Sequence, residues 1–482
     1  MSSFHFFIEK ILSKKHHAFE QSLYHPQKIM DQKLNQWLQR FDRRLEDFKN
    51  TPAQDFFTQK EKLLTHNTHT ARWEPTSGST GKTKWIPYNQ YFLDELDNMS
   101  APWIYDLYKS YPDIKKGKHY WSLSWLPEEL RNQELQNELK LFPWYKRLFM
   151  GQVMAQDPRN AYVETIDLAQ KCALISILTK NVSLISVWSP TFFIRLLELL
   201  LNNYQEIVFH LSVRDLFDWC YGKQTSFILK QMESLNPKSL KDLVPLFPNL
   251  KLISCWETGP SQKWALQLKE LFPDVIFQGK GLWATEGVVS IPFQKMYPLA
   301  IGGHFLEFLD KDDNILQVSQ LKEGDIVSPL MTTGSGLCRY HLGDKVQVTG
   351  FLHKTPSVEF LGRDNTVDLA GEKLGAQKVS EIKKVFQQKF SHLTWISLVG
   401  IGSITNPHYQ LIVEGVEKEE LITEFLEKEL ANIHHYKVAR ELGQLSASSV
   451  RLVDNGLKAY YELCYEKGTP DGSIKVEVLK QL

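Results

Sequence analysis

Apolar residues recur with helical spacing in the first 65 residues of the chain. Leu34, Trp37, Leu38, Phe41 and Leu45 follow one another at steps of one, three or four residues, which places them on one face of a helix. The pattern predicts two or three helices that pack on a larger body. A helix that presents this stripe to a partner protein is the alternative.

Between residues 70 and 360, short apolar runs alternate with stretches of helical period. Such alternation predicts an α/β body with buried strands. Ser189 and Pro190 precede one helical stretch, where serine suits the cap and proline suits the first turn. The predicted elements are strands in VSLISVW (182–188), NLKLISCW (249–256) and VIFQGKGLW (275–283), and helices in TFFIRLLELL (191–200) and Lys263–Leu271.

The pattern changes after residue 363 and predicts a small α+β domain in which two helices cover one antiparallel sheet. We therefore expect two domains, residues 1–362 with a helical start at 1–65, and residues 363–482. A short hinge is expected near Gly362-Arg363-Asp364. The predicted elements of the second domain are strands in WISLVGI, YQLIVEG and SVRLVD, and helices at Val379–Phe390, at Glu419–Leu442 and in LKAYYELCYE.

Composition excludes several classes of protein. The 482 residues carry a formal net charge of 0, so bulk electrostatics favour neither nucleic acid nor an anionic membrane. A hydrophobic content of 43% is typical of a globular chain. The five cysteines are scattered without a Cys-x-x-Cys pair, which argues against a disulfide framework or a zinc site. Charged residues and a proline interrupt the most apolar region, 173–201, so we expect no membrane span and a cytoplasmic protein.

The loop TSGSTGKTK, residues 76–84, contains the most suggestive chemistry. Its Gly-Lys-Thr is not a P-loop, because that template requires glycine at position 76, where the chain has threonine. What remains is a loop of small residues, hydroxyls and lysines that suits a bound anion. The hydroxyls of Ser77, Ser79 and Thr80 and the ammonium groups of the two lysines, Lys82 and Lys84, are the candidate phosphate ligands. A solvated turn is the alternative.

Five further segments each carry one weak signal. In WATEGVVSIP, Trp283 is suited to stacking on a base, Thr285 to donating to a phosphate and Glu286 to binding Mg²⁺. Each residue also has an ordinary explanation as part of a turn, a strand end or a surface. The other candidates are Gly259 in ETGPS, Asp344 in GLCRYHLGDKVQVTGF, Arg363 in FLGRDNTVDLAGEKLG and Lys475 in GSIKVEVL.

The order of these segments resembles the adenylate-forming, acyl-activating superfamily. Within it, four elements are similar to the auxin-responsive Gretchen Hagen family of acyl acid amido synthetases, and the resemblance runs from about residue 25 to the end. A bacterial-type member is indicated, because the chain is shorter than plant members. The four elements are EPTSGSTGKTKWIPY, WATEGVVSIP, GLCRYHLGDKVQVTGF and the spaced Asn432, Tyr436 and Arg440.

The resemblance implies a large N-terminal adenylate-forming α/β body and a small C-terminal α+β domain that swivels. It implies an enzyme that uses ATP and Mg²⁺ to join a carboxylic acid to AMP, releases pyrophosphate, and then joins the acyl group to an amino acid or other amine. By position, the resemblance also implies a role for each candidate residue. The ATP phosphates are held by Ser77, Ser79, Thr80 and Lys84 and touched by Thr285, and Glu286 binds Mg²⁺. Trp283 stacks on adenine beside Gly259, Asp344 holds the ribose with support from Arg363, and Lys475 assists adenylation.

The chain departs from the family pattern at two positions. Trp283 stands where tyrosine is usual, and the residues after Lys475 are Val476 and Glu477, where proline and a basic residue are usual. Lys480 is therefore the alternative lysine. Two other functions stay open, a thioester-forming acyl-CoA ligase and a catalytically silent relative that binds a nucleotide or an acyl acid. The Asn432 to Arg440 element favours the amide product, while the sequence identifies neither the acid, the amine nor the oligomeric state.

Overall fold

The structure of the protein is a computed structural model. It describes residues 2–67, 70, 72–75, 84–122, 151, 153–363, 366–370, 372, 374–402, 406–466, 469 and 474–481. Over these ranges, no helix combines the length and the apolarity that crossing a membrane requires. The chain forms two compact units, the first made of Met1–Glu74 and Trp85–Leu361 and the second mainly of Gly362–Leu482.

The first unit begins with four helices, where the sequence predicted two or three. The additional boundaries arise at Pro26, which begins the second helix, and at Asp55, whose side chain accepts a 2.8 Å hydrogen bond from the Thr58 amide and caps the fourth. Trp37 and Leu38 are buried in the core of this unit and Leu34 and Phe41 pack against it, so this part of the apolar stripe packs internally, whereas Leu45 is exposed. These helices are α1 (Ser2–Ser22), α2 (Pro26–Arg40), α3 (Leu45–Lys49) and α4 (Phe56–His66).

A four-stranded parallel sheet forms the centre of the α/β part of the first unit. Its order is β3-β4-β5-β6, and all five residues of β4 are buried because helices pack over the sheet. The strands are β3 (Lys118–Trp121), β4 (Val182–Ser186), β5 (Leu252–Ser254) and β6 (Ile276–Gln278). The helices of this part are α5 (Gln90–Ser110), α6 (Ile166–Thr179), α7 (Pro190–Asn202), α8 (Tyr204–Val213), α9 (Thr225–Glu233) and α10 (Gln262–Leu271).

One sequence prediction in this region holds in part and another needs correction. Ser189 occupies the N-cap position of α7 and Pro190 its first turn, as predicted, but the Ser189 side chain makes no capping hydrogen bond, and its hydroxyl pairs with the Thr191 hydroxyl at 2.6 Å. The strand predicted over 275–283 ends at Gln278, and a new strand begins only at Trp283. Between the two strands, Gly281 has a φ of +68°, a left-handed conformation that favours glycine.

The first unit also contains a sheet with antiparallel strand pairs and two short hairpins. The larger sheet has the order β10-β9-β11-β13-β14, with β12 paired to β11. Its strands are β9 (Phe305–Leu309), β10 (Ile315–Leu316), β11 (Ile326–Thr332), β12 (Tyr340–His341), β13 (Asp344–Leu352) and β14 (Thr355–Arg363). The hairpins are β1 (Trp73–Pro75) with β2 (Trp85–Pro87), and β7 (Trp283–Ala284) with β8 (Gly287–Val288).

The second unit has its own core around a four-stranded sheet of order β19-β18-β17-β20. The sheet is mixed, not antiparallel as predicted, since β17 and β18 are antiparallel while β19 and β20 pair in parallel with them. Its strands are β17 (Trp395–Ile401), β18 (His408–Glu414), β19 (Ser449–Val453) and β20 (Leu479–Gln481), beside the hairpin β15 (Thr366–Val367) with β16 (Leu374–Gly375). Its helices are α11 (Ala376–Lys389), α12 (Glu419–Leu430), α13 (His434–Glu441) and α14 (Gly456–Glu466).

The single helix predicted over Glu419–Leu442 is wrong, because α12 and α13 are separated at residues 431–433. The break lets α13 fold back on Glu427 of α12. The Glu427 carboxylate accepts hydrogen bonds from the Tyr436 hydroxyl at 2.9 Å and from the Arg440 guanidinium at 3.4 Å. Two residues of the element that favoured the amide product therefore stabilise the second unit. The mixed α/β fold predicted from the sequence is confirmed by the two units together.

Candidate active site

Thr285 and Glu286 form the two-residue turn between β7 and β8. The hairpin pairs Trp283 with Val288 and Ala284 with Gly287. Gly287 has a φ of +157°, and a Cβ atom there would lie 2.9 Å from the Nε2 atom of buried His304. Only glycine allows this close approach without strain. The turn therefore holds a hydroxyl and a carboxylate next to each other on a tightly packed hairpin.

Glu286 is buried, with 5% of its surface exposed. Its Oε1 atom accepts a 2.8 Å hydrogen bond from the hydroxyl of Tyr340, which lies on β12. Among the described residues no group of three His, Cys, Asp or Glu side chains could hold a metal ion. Mg²⁺ is nevertheless compatible with this site, because it commonly binds one or two carboxylates and takes its other ligands from phosphates and water.

Tyr88 connects the hairpin turn to the segment that follows the candidate phosphate loop. Its hydroxyl donates a 3.0 Å hydrogen bond to the carbonyl oxygen of Thr285, and its backbone amide bonds to the carbonyl oxygen of Arg72. Lys84 lies directly before β2 and is half-buried. The other candidate phosphate ligands, Ser77, Ser79, Thr80 and Lys82, lie outside the described residues.

Trp283 is half-buried and belongs to a cluster of tryptophans. Its ring centroid lies 5.7 Å from that of Trp103 and 6.3 Å from that of Trp188. Its indole Nε1 atom is buried and has no hydrogen-bond partner within the described part of the chain. The structure thus surrounds Trp283 with other indoles, and its stacking on adenine stays a prediction.

The remaining nucleotide-binding candidates of this region lie at turns and strand ends. Gly259 has a φ of +57°, and a Cβ atom there would lie 3.2 Å from the Phe360 ring, so the turn requires glycine. Asp344 is 3% exposed and is the first residue of β13. Arg363 is half-buried and ends β14, the strand that pairs with β13.

Lys475 lies in the second unit, in the segment between α14 and β20, and is half-buried. Its carbonyl oxygen accepts a 2.9 Å hydrogen bond from the Tyr460 hydroxyl, which fixes the backbone at this position. The alternative lysine, Lys480, is only 5% exposed and its ammonium lies over the Tyr460 ring. Lys480 is therefore part of the core of the second unit, which makes Lys475 the better candidate.

The structure brings together Trp283, Thr285 and Glu286 on one hairpin, together with two tyrosines that the sequence analysis did not single out. Tyr88 and Tyr340 each donate a hydrogen bond to this turn. Tyr88 is the last residue of the segment EPTSGSTGKTKWIPY, and Tyr340 lies within GLCRYHLGDKVQVTGF. Each of these segments also contains a predicted site residue, which is the feature of the sequence that could have identified the two tyrosines.

Comparison with known protein families gives three consecutive matches. Residues 59–277 match the GH3 family N-terminal domain, residues 297–363 its central domain and residues 377–481 its C-terminal domain. Among curated proteins, the chain is similar to 4-substituted benzoates-glutamate ligase GH3.12 of Arabidopsis thaliana, with 24% identity over 455 residues, covering 84% of this chain and 75% of the relative. It is also similar to jasmonoyl-L-amino acid synthetase JAR4 of Nicotiana attenuata, with 25% identity over 240 residues, covering 44% of this chain and 41% of the relative.

A solved structure has the same fold. The GH3.15 acyl acid amido synthetase superposes with a TM-score of 0.71 at 17% sequence identity, and the match covers 96% of this chain and 93% of that one. The relatives are named amido synthetases, synthetases or ligases, which agrees with the family inferred from the motifs. The three consecutive domain matches, which lie between residues 59 and 481, establish that this chain is a member of the GH3 family.

Proposed function

We propose that this protein is an ATP-dependent acyl acid amido synthetase. It activates a carboxylic acid as an acyl-adenylate with release of pyrophosphate, and then joins the acyl group to an amino acid or another amine. The observation that carries the proposal is the hairpin turn of Thr285 and Glu286, held by Tyr88 and Tyr340 in a chain of the GH3 family. The names of the relatives support the same chemistry.

In the first half-reaction, a carboxylate oxygen of the acid attacks the α-phosphorus of ATP, and pyrophosphate leaves. Thr285 donates from its hydroxyl to the phosphate, and Lys84 together with Ser77, Ser79 and Thr80 binds the phosphate oxygens. Glu286 holds Mg²⁺, which supplies positive charge to the phosphates when bound. The Tyr340 hydroxyl orients the Glu286 carboxylate, and Tyr88 fixes the backbone of the turn.

The nucleoside is assigned to the candidates at the turns and strand ends. Trp283 stacks on adenine beside Gly259, while Asp344 accepts hydrogen bonds from the ribose hydroxyls with support from Arg363. Asp344 is the first residue of β13, and its carboxylate can accept hydrogen bonds from both hydroxyls of a ribose diol.

We assign Lys475 to the first half-reaction, as a cation that neutralises charge on the phosphates during adenylation. Residues 1–362 form the adenylation domain in this proposal, and residues 363–482 form a mobile domain that carries the lysine. In the second half-reaction, the amine nitrogen attacks the carbonyl carbon of the acyl-adenylate. The amide bond forms as the bond to AMP breaks, and the amine loses a proton.

Two further properties follow from the same proposal. The substrates are small molecules, and the formal net charge of 0 supports the absence of a nucleic-acid partner. We place the enzyme in the cytoplasm, where ATP is available and where its five cysteines, all free, stay reduced.

The test is pyrophosphate release with ATP and Mg²⁺ over a panel of aryl, indolyl and fatty acids, with either pooled amino acids or coenzyme A as acceptor. We expect release that depends on one class of acid, and an amide identified by mass spectrometry. Lys84→Ala should abolish release while ordered structure persists. A thioester product would assign the protein to the acyl-CoA ligases. Protein that binds ATP and releases no pyrophosphate with any acid would indicate a catalytically silent relative.

A further inference from the structure

A row of side chains lies at the carboxyl edge of the parallel sheet. The last residues of its four strands are in register, with Trp121 opposite Ser186, Ser186 opposite Ser254, and Ser254 opposite Gln278. Residues in register on neighbouring strands point to the same face of a sheet. Ligands of open α/β sheets bind at this edge, so the row lies where a substrate is expected.

Lys280 extends over this row. It follows β6 by two residues, and its Nζ atom donates a 2.6 Å hydrogen bond to Ser186 Oγ on β4. In the sheet order β5 lies between β4 and β6, so Ser254 of β5 is the direct neighbour of Ser186 in register. The Oγ atom of Ser254 is buried and has no hydrogen-bond partner among the described residues.

Three tryptophans surround the Lys280 ammonium. Nζ lies 5.0 Å from the ring centroid of Trp103, 5.6 Å from that of Trp121 and 5.0 Å from that of Trp188. These distances are within the range of cation–π attraction. Trp103 is buried, while Trp121 and Trp188 are partly exposed, so the aromatic walls open toward solvent. We call Lys280, Ser186, Ser254 and these three tryptophans the tryptophan cage.

The described part of the chain supplies no counter-charge to Lys280. Its side chain is 3% exposed, and no carboxylate of the described residues pairs with it. Desolvation lowers the pKa of Lys280 to about 7. The neighbouring Cys255 is no anion, because burial raises the pKa of its thiol to about 12. A buried cation of this kind gains most from an anionic ligand, since a charged hydrogen bond offsets its desolvation.

We propose that the tryptophan cage selects flat acyl acids that carry a second anionic group, which Lys280 Nζ and Ser254 Oγ bind. This inference rests on the proposed function and names the substrate class of that enzyme. The tryptophan rings pack against the flat body of the acid. Trp188 also contacts Trp283, so the cage adjoins the hairpin where the other carboxylate reacts. Lys280 is a specificity-determining residue in this scheme.

The experiment measures binding, so that it does not depend on turnover. Terephthalate and isophthalate are titrated into the full chain by isothermal calorimetry, each against its mono-acid analogue, para-toluate or meta-toluate. We expect the wild type to bind at least one diacid on the order of tenfold more tightly than its analogue. Lys280→Met should remove this preference, and Ser254→Ala, which deletes an unpaired oxygen and preserves the core, should reduce it several-fold.

Lys251→Met is the matched control, because Lys251 is exposed and precedes the same sheet at its amino edge. It should keep the full preference. Wild-type protein that binds no diacid more tightly than the mono-acid overturns the proposal. If Lys280→Met binds the diacid and the mono-acid more weakly by the same factor, the proposal is also overturned, because the lysine then binds the carboxylate that reacts with ATP. Pyrophosphate release with any mono-acid would then leave the proposed function intact, so the two failures are distinguishable.

Discussion

Replacing Lys280 with methionine measures the free-energy cost of burying the protonated form of this lysine in the folded protein. Methionine keeps the length of the side chain and removes the ammonium. The folded-state pKa of Lys280 is lowered from 10.5 to about 7 by desolvation, whereas the unfolded chain keeps the ordinary value. Between these two values the unfolded state binds more protons than the folded state, so stability must rise with pH in this window.

The size of the effect follows from the two pKa values. At pH 7 the unfolded lysine is fully charged and the folded one is half charged, which costs the fold about 4 kcal/mol relative to a neutral side chain. At pH 9 the unfolded lysine gains less from its proton, and the cost falls to about 2 kcal/mol. The wild type should therefore gain about 2 kcal/mol of stability relative to Lys280→Met as the pH rises from 7 to 9.

The assay is urea unfolding of both proteins at pH 7, 8 and 9, followed by tryptophan fluorescence. Comparing the variant with the wild type at each pH cancels the titration of groups that both proteins share. Lys251→Met changes an exposed position, so its unfolding free energy should differ from that of the wild type by the same amount at all three pH values. If the difference between Lys280→Met and the wild type is also independent of pH, the lysine is not desolvated in the folded state and the reasoning is wrong.

Three further predictions concern the reaction and the second unit. Glu286→Gln should lower the rate of pyrophosphate release by about a hundredfold or more. Tyr340→Phe should lower this rate roughly tenfold and raise the Mg²⁺ concentration needed for half-maximal release, because the tyrosine acts through the carboxylate. An unchanged Mg²⁺ requirement in Tyr340→Phe would contradict this role. Lys475→Ala should slow adenylation more than amide formation from supplied acyl-adenylate, and equal loss in both steps would exclude its assigned role. Glu427→Ala should lower the unfolding free energy of the second unit by about 3 kcal/mol, since Tyr436, Arg440 and the Ser448 amide lose their hydrogen-bond acceptor. An unchanged unfolding free energy in calorimetry would refute this prediction.

Local periodicity was enough to predict several individual elements of this protein. WISLVGI forms β17 over Trp395–Ile401, and the predicted helix at Lys263–Leu271 forms α10 over Gln262–Leu271. These elements depend on side chains a few residues apart, whose spacing is directly legible in the sequence. The order of the motifs also indicated the family, because each motif is a short, continuous segment.

Pairings between distant segments are visible only in the folded protein. The parallel partners of the second sheet join Leu398 to Leu479, 81 positions apart, and no local spacing encodes such a register. The break between α12 and α13 depends on Glu427 as a shared acceptor for α13, which helical periodicity does not show. The mixed sheet and the divided helix were missed for this reason.

The same distinction holds for the site. The order of residues along the chain shows that Thr285 and Glu286 are adjacent and follow an aromatic residue. Only the fold placed the Tyr340 hydroxyl 2.8 Å from Glu286 and enclosed Lys280 among tryptophans from three separate segments. A charged side chain changes its chemistry when it loses water, and the loss of water depends on all the segments that pack around it.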